Sequence, residues 1–236
     1  MRIILIAIYI ILYFILTLPF LLIGYIIGLF SKKAQYKYTL YFGKIWSSHL
    51  LSMAGTKITV TGLENIPKGP ALFIGNHRSW FDIPVLFKHL PNSTGFIAKK
   101  EMKKVPIMSW WMTSAGCLFL DRHDVRAAMK TMIAGVELLK NGHSMVIFPE
   151  GTRSKTDDML PFKQGSLKLA EKAGIPVVPF GISRSDYILE KNGKRVKPAN
   201  VQLNFGKPVF LNELEPSEQK QSAKYVQHIV SELIEK

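Results

Sequence analysis

The sequence predicts an α/β domain, a mostly parallel central sheet covered by helices, with an N-terminal membrane-binding helical segment. Three observations carry this expectation. Residues Ile3–Phe30 hold no charged side chain. After Gly62, short apolar runs alternate with stretches of helical periodicity, the pattern of strands alternating with helices. Polar residues able to do chemistry gather just beyond several of the apolar runs, where a parallel sheet places its sites. The chain therefore divides into membrane-anchoring and interfacial helices over 1–56 and an α/β domain over 57–236.

Composition narrows the options. The 236 residues are 47% hydrophobic, which excludes a disordered polymer and allows a full core. Lys and Arg number 31 against 17 Asp and Glu, a net charge of +14, so an anionic partner is expected: a phosphate ester, an anionic membrane surface, an acidic carrier or nucleic acid. The single cysteine, Cys117, excludes an intrachain disulfide and a Cys-based zinc site, and its apolar neighbours point to inert packing.

The uncharged stretch of 28 residues would measure about 42 Å as one helix, longer than the ~30 Å hydrocarbon core of a bilayer. Its length, and the want of a small-residue cleavage site after it, count against a signal peptide. Pro19 should kink or break it into halves 3–18 and 19–30. Two arrangements fit: one tilted, kinked transmembrane helix, or two short helices dipping into one leaflet. Residues 32–53 interleave Tyr36, Tyr38, Tyr41, Phe42, Ile45, Trp46 and Leu50 with Lys32, Lys33, Lys37 and Lys44, an interfacial composition. Lysines following the apolar run place the remaining domain on the cytoplasmic face.

Candidate strands are Lys57–Thr61, Ala71–Gly75, Phe96–Ala98, Cys117–Leu120, Met145–Phe148, Val177–Ile182 and Val201–Phe205, all short, apolar and in part β-branched. A helix follows Asp124, with Val125, Ala128, Met129, Met132, Ile133, Val136 and Leu139 at three- and four-residue steps. Asp124 can cap its start, and Gly142 lies beyond its end. A last helix near 217–235 should bury Val226, Ile229, Val230, Leu233 and Ile234. Met108, Trp110, Trp111 and Met112 read as core packing, with an acyl-chain channel as the sharper alternative.

Three strand ends carry the chemistry. Asn76-His77-Arg78-Ser79-Trp80-Phe81-Asp82 follows the second candidate strand. His77 and Asp82, five apart, would diverge by about 140° on one continuous helix. His77 therefore belongs to a loop and Asp82 to the first turn of the helix after it. Asp82 would then accept one imidazole N–H and leave the other nitrogen free as a general base. Gly116–Arg122 ends the fourth candidate strand with a guanidinium. Glu150-Gly151-Thr152-Arg153 follows the fifth: glycine lets backbone amides approach a ligand, threonine offers a hydroxyl, and arginine offers a fork matched to phosphate oxygens.

These blocks resemble the 1-acyl-glycerol-3-phosphate acyltransferases (lysophosphatidic acid acyltransferases) of the glycerolipid acyltransferase superfamily. Asn76-His77 to Asp82 is similar to the family's H-x4-D motif, Gly116–Arg122 to its second block, Phe148–Ser154 to its third and Ile175-Pro176-Val177-Val178-Pro179 to its fourth. The likeness runs from about residue 57 to 210, and the N-terminal segment resembles the membrane-binding helices of bacterial members. The resemblance implies an enzyme that moves an acyl group from acyl-CoA or acyl carrier protein to the sn-2 hydroxyl of lysophosphatidic acid, forming phosphatidic acid on a phospholipid membrane. His77 would deprotonate the hydroxyl, Asp82 would orient His77, and Arg153 would hold the acceptor's phosphate. Glu150, Gly151 and Thr152 would shape the pocket, with Arg122 and Lys100 assisting; Lys99 is an alternative match for Lys100. No cofactor, metal or nucleic acid is implied, since a thioester is already activated. Alternatives are another acceptor (glycerol 3-phosphate or a different lysophospholipid), a membrane-anchored hydrolase using His77 and Asp82 with water, and a lipid-binding protein without catalysis.

Overall fold

The computed structural model describes residues 2–91, 93–193 and 195–234. Among them, seven strands make one sheet: β1 (Lys57–Thr61), β2 (Leu72–Gly75), β3 (Thr94–Lys99), β4 (Leu118–Leu120), β5 (Ser144–Ile147), β6 (Val177–Ser183) and β7 (Asn200–Phe205), in the order β1-β7-β6-β2-β5-β3-β4. The run β6-β2-β5-β3-β4 is parallel throughout. β7 pairs antiparallel to β6 and parallel to β1, so those two strands run opposite to the rest. The seven strands are those the sequence predicts. The largest boundary change is at β3, expected over three residues and observed over six.

Central strands β2, β5 and β6 are buried along their whole length, as strands covered on both faces must be. Their side chains feed two cores. Phe73, Val146, Val178 and Phe180 meet Leu40, Leu50, Val85 and Leu86 on one face. Leu72, Ile74, Met145 and Val177 meet Val136, Leu139, Leu169, Val226 and Val230 on the other. The first layer contains α3 (Lys32–Ala54) and α4 (Asp82–His89); the second contains α6 (Val125–Lys140), α7 (Lys168–Ala173) and α9 (Ser222–Leu233). Asp124 caps α6 as expected, accepting from Arg126 N at 2.9 Å and Ala127 N at 3.0 Å.

The expected C-terminal helix is instead two, α8 (Pro216–Lys220) and α9, broken at Gln221. Gln164 supplies the reason. Its carboxamide accepts from Ala223 N at 3.0 Å and donates to Ser222 Oγ at 2.7 Å, capping α9 from outside the segment. Periodicity carries no trace of a cap that comes from 58 residues away.

The uncharged N-terminus forms α1 (Arg2–Leu16) and α2 (Leu18–Phe30), bent by 48°. The break falls at Thr17 rather than at Pro19, because proline is tolerated in the first turn of a helix, where its missing N–H is not needed. No single described helix is long and apolar enough to cross a membrane; by length and composition the bent pair is. The pair retraces α3 in the opposite direction. Tyr9 Oη lies 3.2 Å from His49 Nδ1, Tyr13 donates to the Phe42 carbonyl at 2.8 Å, and Gly24 and Gly28 leave room for Tyr38 and Gln35. The pair exposes Ile4, Ile8, Leu12, Leu16, Leu22 and Leu29.

Helix α3 differs from the interfacial helix expected over 32–53. It is sandwiched between α1–α2 and α4: Leu40, Leu50 and Leu51 are buried, and Gln35 and Thr39 reach Ser114 at 3.1 and 2.8 Å. Its aromatic residues pack on neighbouring rings, as Phe42 does on Phe20 (5.2 Å) and Trp111 (5.4 Å). An aromatic–lysine mixture reads the same whether it faces headgroups or an outer helix layer, so the sequence did not separate the two. Trp111, on α5 (Met108–Ser114), is core as expected, whereas Trp110 is half exposed.

Candidate active site

The site is built at the C-terminal ends of β2, β4 and β5. Asn76, just beyond β2, is buried and uses its carboxamide as a false strand residue. It accepts from Ile182 N at 2.8 Å and donates to the Ile182 carbonyl at 2.9 Å, extending the β2–β6 pairing by side chain. This fixes where His77 leaves the sheet. The His77 peptide N–H then donates to Glu150 Oε1 at 2.6 Å, and its carbonyl accepts from Ser154 N at 2.8 Å. Both backbone groups are thus tied to the loop after β5.

The imidazole is held as firmly. Nδ1 lies 2.8 Å from Asp82 Oδ2, and the ring stacks on Phe148 with centroids 4.0 Å apart and planes 16° from parallel. Asp82 opens α4 and is fully buried; the same Oδ2 accepts from Arg78 N at 2.8 Å and Ser79 N at 2.9 Å. One carboxylate oxygen therefore closes the 78–82 turn and orients the ring. With Nδ1 protonated toward a carboxylate, Nε2 is left as the acceptor, and no hydrogen bond engages it among the described residues. The histidine side chain is 18% exposed, so the ring edge reaches the surface while its partner does not.

The Glu150–Arg153 turn wraps this ring. Glu150 is buried, and burial raises its carboxyl above the usual range, opposed by the N–H groups of Leu160 and His77. Those N–H groups take both its oxygens, at 2.8 and 2.6 Å. Glu150 is therefore a strut between two loops rather than a wall of a pocket. Gly151 has φ of 78°, a region open to glycine. A Cβ there would lie 3.0 Å from Lys163 Nζ and 3.4 Å from Arg122 Nη1. Two cations thus converge over this glycine, and neither forms an ion pair among the described residues.

The other expected residues are placed differently. Arg153 donates to Glu190 Oε1 at 2.8 Å and lies over the Trp80 ring at 4.5 Å, partly exposed. Lys100 pairs with Asp121 at 2.7 Å in solvent. Thr152 is exposed at the turn's tip. Sequence reasoning missed Lys163, Glu190 and the stacking role of Phe148. Glu190 also accepts from Ser79 Oγ (2.7 Å) and Trp80 N (2.9 Å), tying the loop after β6 to the His77 turn. No local motif announces such a residue 113 positions from His77. Phe148 was within reach, as the first residue of the third block.

With this geometry in view, comparison with known proteins decides the family. Residues 57–183 match the Acyltransferase family model. The chain belongs to the acyltransferase family. It is similar to the probable 1-acyl-sn-glycerol-3-phosphate acyltransferase of Mycoplasma genitalium, 32% identical over 83% of this chain and 78% of that one. The corresponding acyltransferase of Saccharomyces cerevisiae is 40% identical over 58% of this chain and 46% of its own length. The crystal structure of the 1-acyl-sn-glycerophosphate (LPA) acyltransferase PlsC from Thermotoga maritima superposes with a TM-score of 0.79 at 27% identity, covering 96% of this chain and 91% of that one. Against the yeast protein and that of Brassica napus, this acyltransferase-family chain spans about half of the relative's length, 46% and 57%.

Proposed function

We propose that the protein transfers a fatty acyl group from an acyl thioester to the sn-2 hydroxyl of 1-acyl-glycerol 3-phosphate, giving phosphatidic acid. One observation carries the reading: a histidine held at 2.8 Å by a buried carboxylate, its other nitrogen unengaged, beside a turn where two unpaired cations converge. His77 Nε2 takes the hydroxyl proton as the oxygen attacks the thioester carbonyl. Asp82 stabilises the imidazolium so formed. Collapse of the tetrahedral adduct breaks the C–S bond, and the imidazolium returns its proton to the departing thiolate. Arg122 and Lys163 over Gly151 receive the acceptor's phosphate, with Arg153 two residues further along the same turn. Thr152 and Lys100 stand at the rim. Water in place of the alcohol would give the hydrolase alternative.

The apolar outer face of α1–α2 would lie in one leaflet. The helices measure about 22 and 20 Å, each short of a ~30 Å core, and both run back along α3 rather than away from the domain. This supports the single-leaflet arrangement over a span. Lys32, Lys33 and Lys37, exposed where α3 follows α2, support anionic headgroups and the cytoplasmic face.

The test is product formation by purified protein given lysophosphatidic acid and palmitoyl-CoA or palmitoyl carrier protein. Phosphatidic acid is expected. Thiol release that does not depend on acceptor would replace this reading with the hydrolase, and activity only with glycerol 3-phosphate or another lysophospholipid would change the acceptor.

A further inference from the structure

Helix α6 has two apolar faces where folding needs one. Val136 and Leu139 are buried in the core beneath the sheet. On the outside, Val125 is 76% exposed, and Met129 and Ile133 are each 56% exposed. At i, i+4 and i+8 they form one stripe about 12 Å long. Its surroundings are basic. Over residues 121–137, Arg122, Arg126 and Lys130 stand against Asp121, Asp124 and Glu137; Asp121 is held by Lys100 and Asp124 caps the helix, which leaves Glu137 at the far end of the stripe. None of the three cations forms an ion pair among the described residues.

Position narrows the occupant. The stripe starts three residues after Arg122, whose guanidinium overhangs Gly151, so it runs outward from the mouth of the active site. α6 covers the sheet face opposite to the one carrying α3 and, outside it, α1–α2. The sheet thus separates α6 from α1–α2, which favours a soluble partner over the leaflet that α1–α2 would occupy. CoA would match the cations through its phosphates but has no use for a two-turn apolar stripe. An acidic protein helix with an apolar side matches both.

We infer that α6 is the docking surface for a protein-borne acyl donor: an acidic acyl carrier protein packs on Val125, Met129 and Ile133, steered by Arg126 and Lys130. The inference rests on the acyl-transfer reading and adds the class of donor to it.

The experiment compares palmitoyl carrier protein with palmitoyl-CoA on the intact protein, wild type and the double variant Met129→Glu/Ile133→Glu. Both positions are exposed, so the fold should tolerate the change. With the carrier, kcat/KM should fall about tenfold or more; with CoA it should stay within about twofold. Lys130→Glu should slow the carrier reaction alone. Raising salt from about 0.05 to about 0.3 M should slow the wild type more with carrier than with CoA. Equal losses with both donors, no loss with either, or a wild type that uses CoA and not the carrier would overturn the inference. So would a double variant that loses binding to phosphatidylglycerol vesicles or converts a dimer to a monomer, since the stripe would then serve membrane or self-association. Failure of the wild type with both donors would overturn the acyl-transfer reading itself.

Discussion

Replacing Asp82 by Asn separates the two tasks that one oxygen performs. Oδ2 receives His77 Nδ1, Arg78 N and Ser79 N within 2.8–2.9 Å. An Asn whose carbonyl oxygen takes that place keeps all three contacts, so the turn and the tautomer survive. Its NH2 then occupies the position of Oδ1, which is buried with no hydrogen-bond partner, at a cost to stability of about 1 kcal/mol. What is lost is the negative charge facing the imidazolium. Charges about 4 Å apart at an effective dielectric near 20 interact by about 4 kcal/mol, close to three decades in rate. Solvent at the exposed edge of His77 reduces this, so kcat for phosphatidic acid formation should drop about 10²–10³-fold, with the acceptor KM within about twofold. Asp82→Ala should also lose about 1–3 kcal/mol of unfolding free energy, because two backbone N–H groups lose their acceptor. Urea unfolding and steady-state kinetics on the two variants read these effects separately. A Asp82→Asn enzyme with more than about a third of wild-type kcat would refute the charge argument.

Other predictions address the surrounding parts. Gly151→Ala forces an L side chain to φ of 78° and sets a methyl 3.0 Å from Lys163 Nζ, so acceptor KM should rise about tenfold or more with a stability loss of about 1–2 kcal/mol; an unchanged KM would remove the two cations from the phosphate site. Glu150→Gln turns one acceptor into a donor against the N–H of His77 or Leu160, which should cost about 1–3 kcal/mol in urea unfolding and lower kcat; a neutral effect on both would deny its role as a strut. His143, buried beside Tyr36 and Gly116, is pushed down to about 4 by burial, opposed by nearby backbone carbonyls. The unfolded chain therefore holds the extra proton between about pH 6.5 and 4, and stability should fall by up to about 3 kcal/mol as pH drops through that window. His143→Gln should flatten the slope of unfolding free energy against pH, and an undiminished slope would place the titration elsewhere.

Legibility followed locality. Strands β2, β5 and β6 were readable because burial on both faces makes them continuous apolar runs. The His77–Asp82 pair was readable because a loop-to-helix turn fixes a five-residue spacing. The split at Gln221 and the partners Lys163 and Glu190 were not, since each depends on where distant segments meet; the break at Thr17 instead follows a local rule, the tolerance of proline in a first turn. Arg153 shows the limit most plainly: its type and place in the motif suit a phosphate, but Glu190 and Trp80, both outside the motif's turn, set how it is held. The packing of α3 was hidden for a different reason, since lipid and an outer layer of helices ask for the same side chains.

The most direct measurement is the single-turnover rate of phosphatidic acid formation by His77→Ala, with acceptor binding measured alongside. Asp82 keeps its two backbone donors in this variant, so the fold and the cationic turn should persist. The rate should fall about 10²–10⁴-fold while lysophosphatidic acid still binds within about twofold of wild type. A rate near that of wild type, with the protein folded, would contradict the assignment of His77 as the base.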